Sequence, residues 1–314
     1  PDVEVTFIVD GATVHDRYSE ARKEYSFEHI SKGLQEIVAP IGTKYYLDAK
    51  DAPSDYVLQE TDTFDTWFSS GQWPLTTLGY PDSDDFKYFY PTSVIDTMWD
   101  ILPFWIMRML MFGLYLTDKV PFEKVHMHSR VVDSKGQKMS KSKGNVVNPM
   151  ELVEKYGADA LRFALVFGVA PASDIPLGEE KMIGGRNLIT KIWNIARFIL
   201  AIDPETANKE GKDDAELKEL INQTIGETEK NIEAFQFGIA SENLYHVIWD
   251  QFASVYLERY KEGEVSYKAL TDSFGALLKL LHPFIPFITE ELFAKLPGNE
   301  NRSASLENWP TPLP

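Results

Sequence analysis

Residues 138 to 142 read Lys138-Met139-Ser140-Lys141-Ser142, with Gly136 before the string and Gly144 after it. Two ammonium groups stand three residues apart, with hydroxyls between and after them. On a glycine-flanked loop such a set can act as a movable clamp on a polyphosphate, and it gains most where negative charge grows on a departing pyrophosphate. The plain alternative is a solvated Lys/Ser turn. Asp100 offers a second chemistry, because a carboxylate where a strand end meets a helix can hold two hydroxyls of a sugar. A helix-start carboxylate favoured by the macrodipole is the alternative there.

These side chains need a scaffold. Residues 123–132 have the composition of a strand, 133–148 form a polar Lys/Ser/Gly loop, and Asn148 before Pro149 marks the start of a helix over 149–156. Upstream, 94–96 reads as a strand end and 100–115 as a helix. From 62 to 175 apolar helical stretches alternate with short β-like runs, the pattern of a parallel sheet with crossover helices. The most apolar stretch, 101–116, is interrupted by Arg108, falls short of the roughly 20 residues that span a bilayer, and reads as a buried helix. The first 60 residues open with an alternating run over 3–9 closed by Asp10-Gly11, the signature of a strand and a turn. A helical stretch over 18–37, a break at 39–42 and a polar connector at 48–55 follow. Beyond 179, apolar residues recur at helical spacing over 188–200, 217–235, 239–262 and 267–295, with a hydrophilic loop at 203–214, which predicts a helix bundle. Trp193, Phe198 and Phe287 read as core residues of that bundle.

The chain has 314 residues, a net charge of −17 and no cysteine. Disulfides, thiolate zinc sites, iron–sulfur clusters and a cysteine nucleophile are therefore excluded. The acidic balance argues against a broad grip on nucleic acid, so any such contact must be local. No basic stripe emerges from 181–314, where acidic groups outnumber basic ones. The amino terminus has neither the basic start nor the apolar core of a signal peptide, and a reducing cytoplasm is the expected location.

The Lys138–Ser142 string resembles the second signature of class I aminoacyl-tRNA synthetases. The match extends to Val125-His126-Met127-His128 before it and Gly144-Asn145-Val146-Val147-Asn148-Pro149 after it. Lys155-Tyr156-Gly157-Ala158-Asp159-Ala160-Leu161-Arg162 is what the aliphatic branch of that class carries. Lys191 to Phe198 and His282 to Leu292 look like its helical domain. The resemblance implies an α/β plus all-α fold: a partial Rossmann-type parallel-sheet catalytic domain over 61–180, with the loop, followed by a helical-bundle anticodon-binding domain over 181–314. Residues 1–60 form a segment without a clear match. Asp62-Thr63-Phe64-Asp65-Thr66-Trp67-Phe68-Ser69-Ser70-Gly71 looks like the valyl version, since isoleucyl relatives usually put an acidic residue where Ser69 stands.

By resemblance, Lys138, Ser140 and Lys141 serve the departing pyrophosphate, and Asp100, His128, Ser129 and Lys141 bind ATP. Asp65 and Trp67 then frame the amino acid, although Asp65 equally suits a helix cap and Trp67 a core position. Met98 and Ser129 stand where relatives usually have glycine. The implied substrates are valine, ATP as its Mg²⁺ complex and tRNA(Val), with no tightly bound cofactor, no resident metal and no membrane. The chain is expected to act as a monomer. An isoleucine-specific relative and a noncatalytic tRNA-binding or assembly module are the alternatives. The first class signature, a His-x-Gly-His string, and an editing insertion of the usual length are absent from these 314 residues. With no initiator methionine either, the chain is expected to be the carboxyl-terminal part of a longer enzyme, inactive on its own.

Overall fold

The computed structural model describes residues 4–35 and 63–314, in two compact units that part between Trp73 and Pro74. The predicted break at 39–42 and connector at 48–55 lie outside the described residues. In the first unit, β1 (Glu4–Val9) and β2 (Ala12–Arg17) pair antiparallel from Glu4↔Arg17 to Val9↔Ala12. The turn between them takes Asp10 and Gly11 to φ 51° and 78°, the left-handed pair that suits the twist of a two-residue hairpin. Phe7 is fully buried against Ala21 of α1 (Tyr18–Glu24) and Ile30 of α2 (Phe27–Gln35). A Cβ on Gly33 would lie 2.2 Å from the Ile8 carbonyl oxygen, so α2 sits directly on β1. The short α3 (Thr66–Gly71) belongs to the same unit.

The second unit follows a short α4 (Trp73–Thr76) with α5 (Asp84–Phe89), then a parallel pair, β3 (Thr92–Thr97) with β4 (Phe122–Met127). They are joined by a helical run over Trp99–Thr117, which ends in α6 (Met107–Thr117). Ile106 and Met109 of that run pack on Ile95 and Phe122 of the sheet. The expectation of a buried helix is corrected here: only 17% of the run is buried, and Met107, Met111, Leu114 and Tyr115 are exposed. Its apolar residues surround the axis, while the two strands beneath it cover one side. By length and composition it is the one helix among the described residues that could cross a membrane.

The predicted strand over 123–132 is in fact two. β4 stops at Met127, and β5 (Arg130–Val132) pairs parallel with β6 (Asp174–Pro176) instead of with β3. Two helices, α7 (Pro149–Tyr156) and α8 (Ala158–Ala164), connect β5 to β6. The predicted Asn148 cap is made: its Oδ1 accepts the Met150 amide at 3.0 Å.

The bundle comprises α9 (Glu179–Leu200), α10 (Asp214–Glu233), α11 (Phe237–His246), a π stretch (Val247–Tyr256) that runs into α12 (Leu257–Lys261), α13 (Tyr267–Leu281) and α14 (Pro286–Phe293). Leu188, Ile192, Ile199, Leu217, Ile221, Phe252, Phe274 and Leu277 form its dry centre. Within the helical stretch over 267–295, Pro283 and Pro286 end α13 and begin α14. Phe198 packs against the core as expected. Trp193 and Phe287, by contrast, are 40% and 66% exposed, because their helix positions face outward.

The bundle is fastened to the α/β part by α8. The buried Asp159 carboxylate accepts the amides of Phe287 (3.2 Å) and Ile288 (2.7 Å), capping α14 from another element. Arg162 donates to the carbonyls of Phe284 (3.2 Å) and Pro283 (3.0 Å) one turn earlier. A Cβ on Gly185 would stand 2.7 Å from the Ala160 carbonyl, so α9 and α8 are in backbone contact. Asp159→Ala should cost about 1–3 kcal/mol in urea unfolding, since it strands two amides at the start of α14; an unchanged midpoint would show that the cap contributes nothing.

Candidate active site

The Lys/Ser loop leaves the carboxyl end of β5 and is drawn together by Asp133 at its base. Asp133 Oδ1 accepts the amides of Lys135 (2.9 Å) and Gln137 (2.8 Å), and Oδ2 accepts the Asn145 side-chain amide (2.8 Å). Asn145 Oδ1 in turn accepts the Ser140 amide at 2.9 Å. Asn145 first, and then the Gln137 amide, hold the Asp133 carboxyl below its ordinary value. The signature string is thus suspended between an aspartate and an asparagine twelve positions apart. Sequence reasoning missed this latch, whose only signal was a polar residue at each end of the loop. Lys138 is exposed, with no ion pair among the described residues. The Ser140 and Ser142 hydroxyls lie 3.2 Å apart. The backbone of Lys141 opens a single 3₁₀ turn, Lys141–Lys143, and the side chain of Lys141 lies outside what the structure describes.

Asp100 and His128 follow neighbouring strand ends for a topological reason. In the parallel pair Thr97 is opposite Met127, so the residues that follow leave adjacent carboxyl ends, and the His128 amide still bonds the Thr97 carbonyl at 2.9 Å. Asp100 follows three residues after Thr97, at the start of a 3₁₀ turn, Trp99–Ile101, and its Oδ1 is buried with no hydrogen-bond partner among the described residues. A carboxylate oxygen kept from water and unpaired is poised to accept from a bound hydroxyl. Met98 has φ −103°, which any residue adopts, so the backbone does not require glycine there.

His128 is exposed, and its Nδ1 lies 3.1 Å from the Ser129 carbonyl. The Ser129 hydroxyl donates to the Ala170 carbonyl (3.0 Å), so its side chain holds the strand break together. Arg130 clasps Asp174 across β5–β6 with two bonds, of 3.1 and 2.8 Å. Its positive charge is favoured first by Asp174 and at longer range by Asp100. In the first unit Asp65 caps α3, accepting the Trp67 amide at 3.3 Å, and Trp67 is half-buried.

A carboxylate and a histidine thus follow the carboxyl ends of one parallel pair, β3–β4, and the paired-lysine loop follows β5 of a second parallel pair, β5–β6; the carboxyl ends of parallel strands are where such sheets take nucleotides. Comparison with known proteins supplies the family. Residues 12–177 match the family "tRNA synthetases class I (I, L, M and V)", and 214–314 match "Anticodon-binding domain of tRNA ligase". The chain belongs to the class I tRNA synthetases. It is 41% identical over 274 residues to the valine–tRNA ligase of Clostridium tetani, covering 82% of this chain and 31% of that protein. With the valine–tRNA ligase of Geobacter sulfurreducens it shares 43% over 264 residues, covering 78% and 30%. This synthetase chain therefore spans about three-tenths of the length of the curated relatives it matches. Among solved structures, the LeuRS of Agrobacterium radiobacter K84 in a ternary complex with tRNA and LeuAMS superposes with a TM-score of 0.70 at 26% identity, covering 80% of this chain and 34% of that one. The methionyl-tRNA synthetase of Mycobacterium tuberculosis, bound by methionyl-adenylate, shares the fold at a TM-score of 0.59 and 19% identity, covering 76% and 52%.

The latch sets a pH dependence. The folded Asp133 carboxyl lies below its unfolded value, so its contribution is full above the ordinary carboxylate range and is lost as pH falls through the folded value. Carbon-detected NMR should show Asp133 titrating below the ordinary aspartate range in the parent chain. Asn145→Ala should move that titration upward and speed exchange of the Ser140 amide. If neither changes, the latch does not hold the loop.

Proposed function

We propose that this chain is part of a valine–tRNA ligase, which joins valine to ATP and passes the valyl group to tRNA(Val). What carries the reading is that Asp100 and His128 follow the carboxyl ends of β3 and β4, with an unpaired Asp100 oxygen, and that the Lys138–Ser142 loop follows the carboxyl end of β5. The preference for valine is supported by relatives 41–43% identical over about four-fifths of the chain, and by Ser69 in the 62–71 segment.

In the first step a valine carboxylate oxygen attacks the α-phosphorus of Mg²⁺-bound ATP, the bond to the β-phosphate oxygen breaks, and pyrophosphate leaves with its negative charge. Lys138 and Lys141, with the Ser140 hydroxyl, offset that charge as it develops. The unpaired Asp100 oxygen accepts from the ribose hydroxyls, while His128 and the Ser129 backbone border the adenosine. Asp65 pairs with the ammonium of valine, and Trp67 limits the volume open to its side chain. In the second step a hydroxyl of the terminal tRNA ribose attacks the valyl carbonyl and AMP departs. Catalysis on this scheme comes from positioning and charge stabilisation.

The functional division falls near residue 180, with the adenylate-forming part before it and the tRNA-holding bundle after it. Residues 181–202 hold Lys181, Arg186, Lys191 and Arg197 and no acidic residue. Arg186, Thr190, Trp193 and Arg197 recur at helical spacing along one exposed face of α9. That face is a local cationic and aromatic strip on an acidic protein and suits an RNA backbone with an unstacked base. The enzyme works as a monomer in the cytoplasm, and this chain alone, without the first class signature, is inactive.

Pyrophosphate exchange into ATP tests the reading. The enzyme that contains this chain should exchange with valine and at most weakly with isoleucine, and Lys141→Ala should lower kcat about a hundredfold or more with little change in tRNA binding. Preference for isoleucine would overturn the substrate; exchange with neither amino acid would favour a noncatalytic tRNA-binding module. Robust exchange by the 314 residues alone would refute the claim that they are incomplete.

A further inference from the structure

The joint between α10 and α11 meets the β3–β4 pair at His126. Asp96 and His126 are register partners across the parallel pair. There His126 Nδ1 meets Asp96 Oδ1 at 2.6 Å, and the imidazole, only 16% exposed, stacks on Phe235 at 5.1 Å with the rings 26° apart. Phe237 meets the same imidazole edge-on at 5.4 Å, and the Lys124 ammonium stands 5.6 Å over the Phe235 ring.

Phe235 holds this place in a left-handed conformation, φ 56°. It is the first residue past the cap of α10, where its amide bonds the Ile232 carbonyl (2.9 Å) and the next amide, of Gln236, reaches back to Asn231 (2.8 Å). That closing pattern ordinarily takes glycine at the left-handed position, because a Cβ is disfavoured there. A phenylalanine in its stead gives up backbone ease for a ring on His126. Three residues on, a Cβ at Gly238 would stand 2.1 Å from the Val169 carbonyl, so the start of α11 also presses on the segment before β6. That segment bonds the strand break directly, Ala172 amide to Met127 carbonyl (3.2 Å) and Ser129 hydroxyl to Ala170 carbonyl (3.0 Å). The joint therefore touches both sides of His128–Ser129, the point where the chain changes from β3 to β6 as its neighbour, with a cavity of about 260 Å³ between them.

We propose that Phe235 is a positioning residue: by stacking on the His126–Asp96 pair it holds the strand break that carries His128 and leads to the Lys/Ser loop, and thereby ties the nucleotide side of the molecule to the end of α10 in the bundle. The proposal rests on reading the strand ends as a nucleotide site, but its test needs no activity and so fails or stands separately from that reading.

Phe235→Gly separates the ring from the cap, since glycine is the residue the left-handed position favours. In the 314-residue chain its urea midpoint should be equal to or above the parent's. At the same time amide exchange at His128 and Arg130 should rise about tenfold or more, and the His126 ring protons should lose the shift that an overlying aromatic ring imposes. Phe235→Tyr should restore both signals. Exchange at His128 and Arg130 that matches the parent's, or that rises no more than it does across the bundle, would overturn the proposal, as would His126 resonances indifferent to the loss of the ring. Should glycine lower the midpoint instead, His126→Ala supplies the second variant: faster exchange confined to His128 and Arg130 supports the clamp, and parent-like exchange there rejects it.

Discussion

The arrangement depends on one carboxylate. Asp159 lies in the short helix between the loop and β6, yet its oxygens are spent on the first amides of α14, 128 and 129 residues further along the chain. Helix starts leave amides without internal partners, and a buried start needs them supplied. Arg162, one turn on, answers the carbonyls that Pro283 and Phe284 leave open where α13 ends. Donors and acceptors at one proline-interrupted bend are thus satisfied by one neighbouring helix. Because that helix leads through β6 to β5, the bundle and the loop share a frame, and neither of the two segments completes its hydrogen bonding alone.

Much of this could be read from residue order where the cause is local. Asp10-Gly11 dictates a left-handed turn whatever surrounds it, Asn148-Pro149 begins a helix, and glycines at 136 and 144 around lysines at 138 and 141 mark a charged loop. Position 100 is a site candidate on the same grounds, because a strand end followed by a helix is a local pattern. The strand break at 128–129 is different. No glycine or proline marks it, and it exists because β5 finds β6, a partner more than forty residues away. The Asp133–Asn145 latch and the Phe235–His126 stack were hidden for the same reason, each requiring the loop or the bundle to close first. Trp193 and Phe287 show a different failure: aromatic composition favours burial, but helix phase decides it, and their positions face outward. Asp65 shows that one carboxylate can cap a helix, whatever else it binds.

Charge is distributed to the same end. With a formal charge of −17 the chain repels polyanions over most of its surface, which makes its few cationic places matter more. Lys135, Lys138, Lys141 and Lys143 fall within one loop, and residues 181–202 hold four bases without an acid. The two zones lie on either side of the Asp159 junction in sequence. Opposite charge is otherwise kept in short surface pairs, such as Lys155 with Glu179 at 2.7 Å, where each partner favours the ionised form of the other.

The helix over Trp99–Thr117 carries Met107, Met111, Leu114 and Tyr115 into water while its inner side grips the sheet. Contiguous apolar surface of that kind attracts environment-sensitive fluorophores as readily as an unfolding core does. In a dye-based melting assay the native molecule would already be bright before heating, and the transition would ride on a high, sloping baseline. Intrinsic tryptophan emission or calorimetry is the sounder thermometer for this chain.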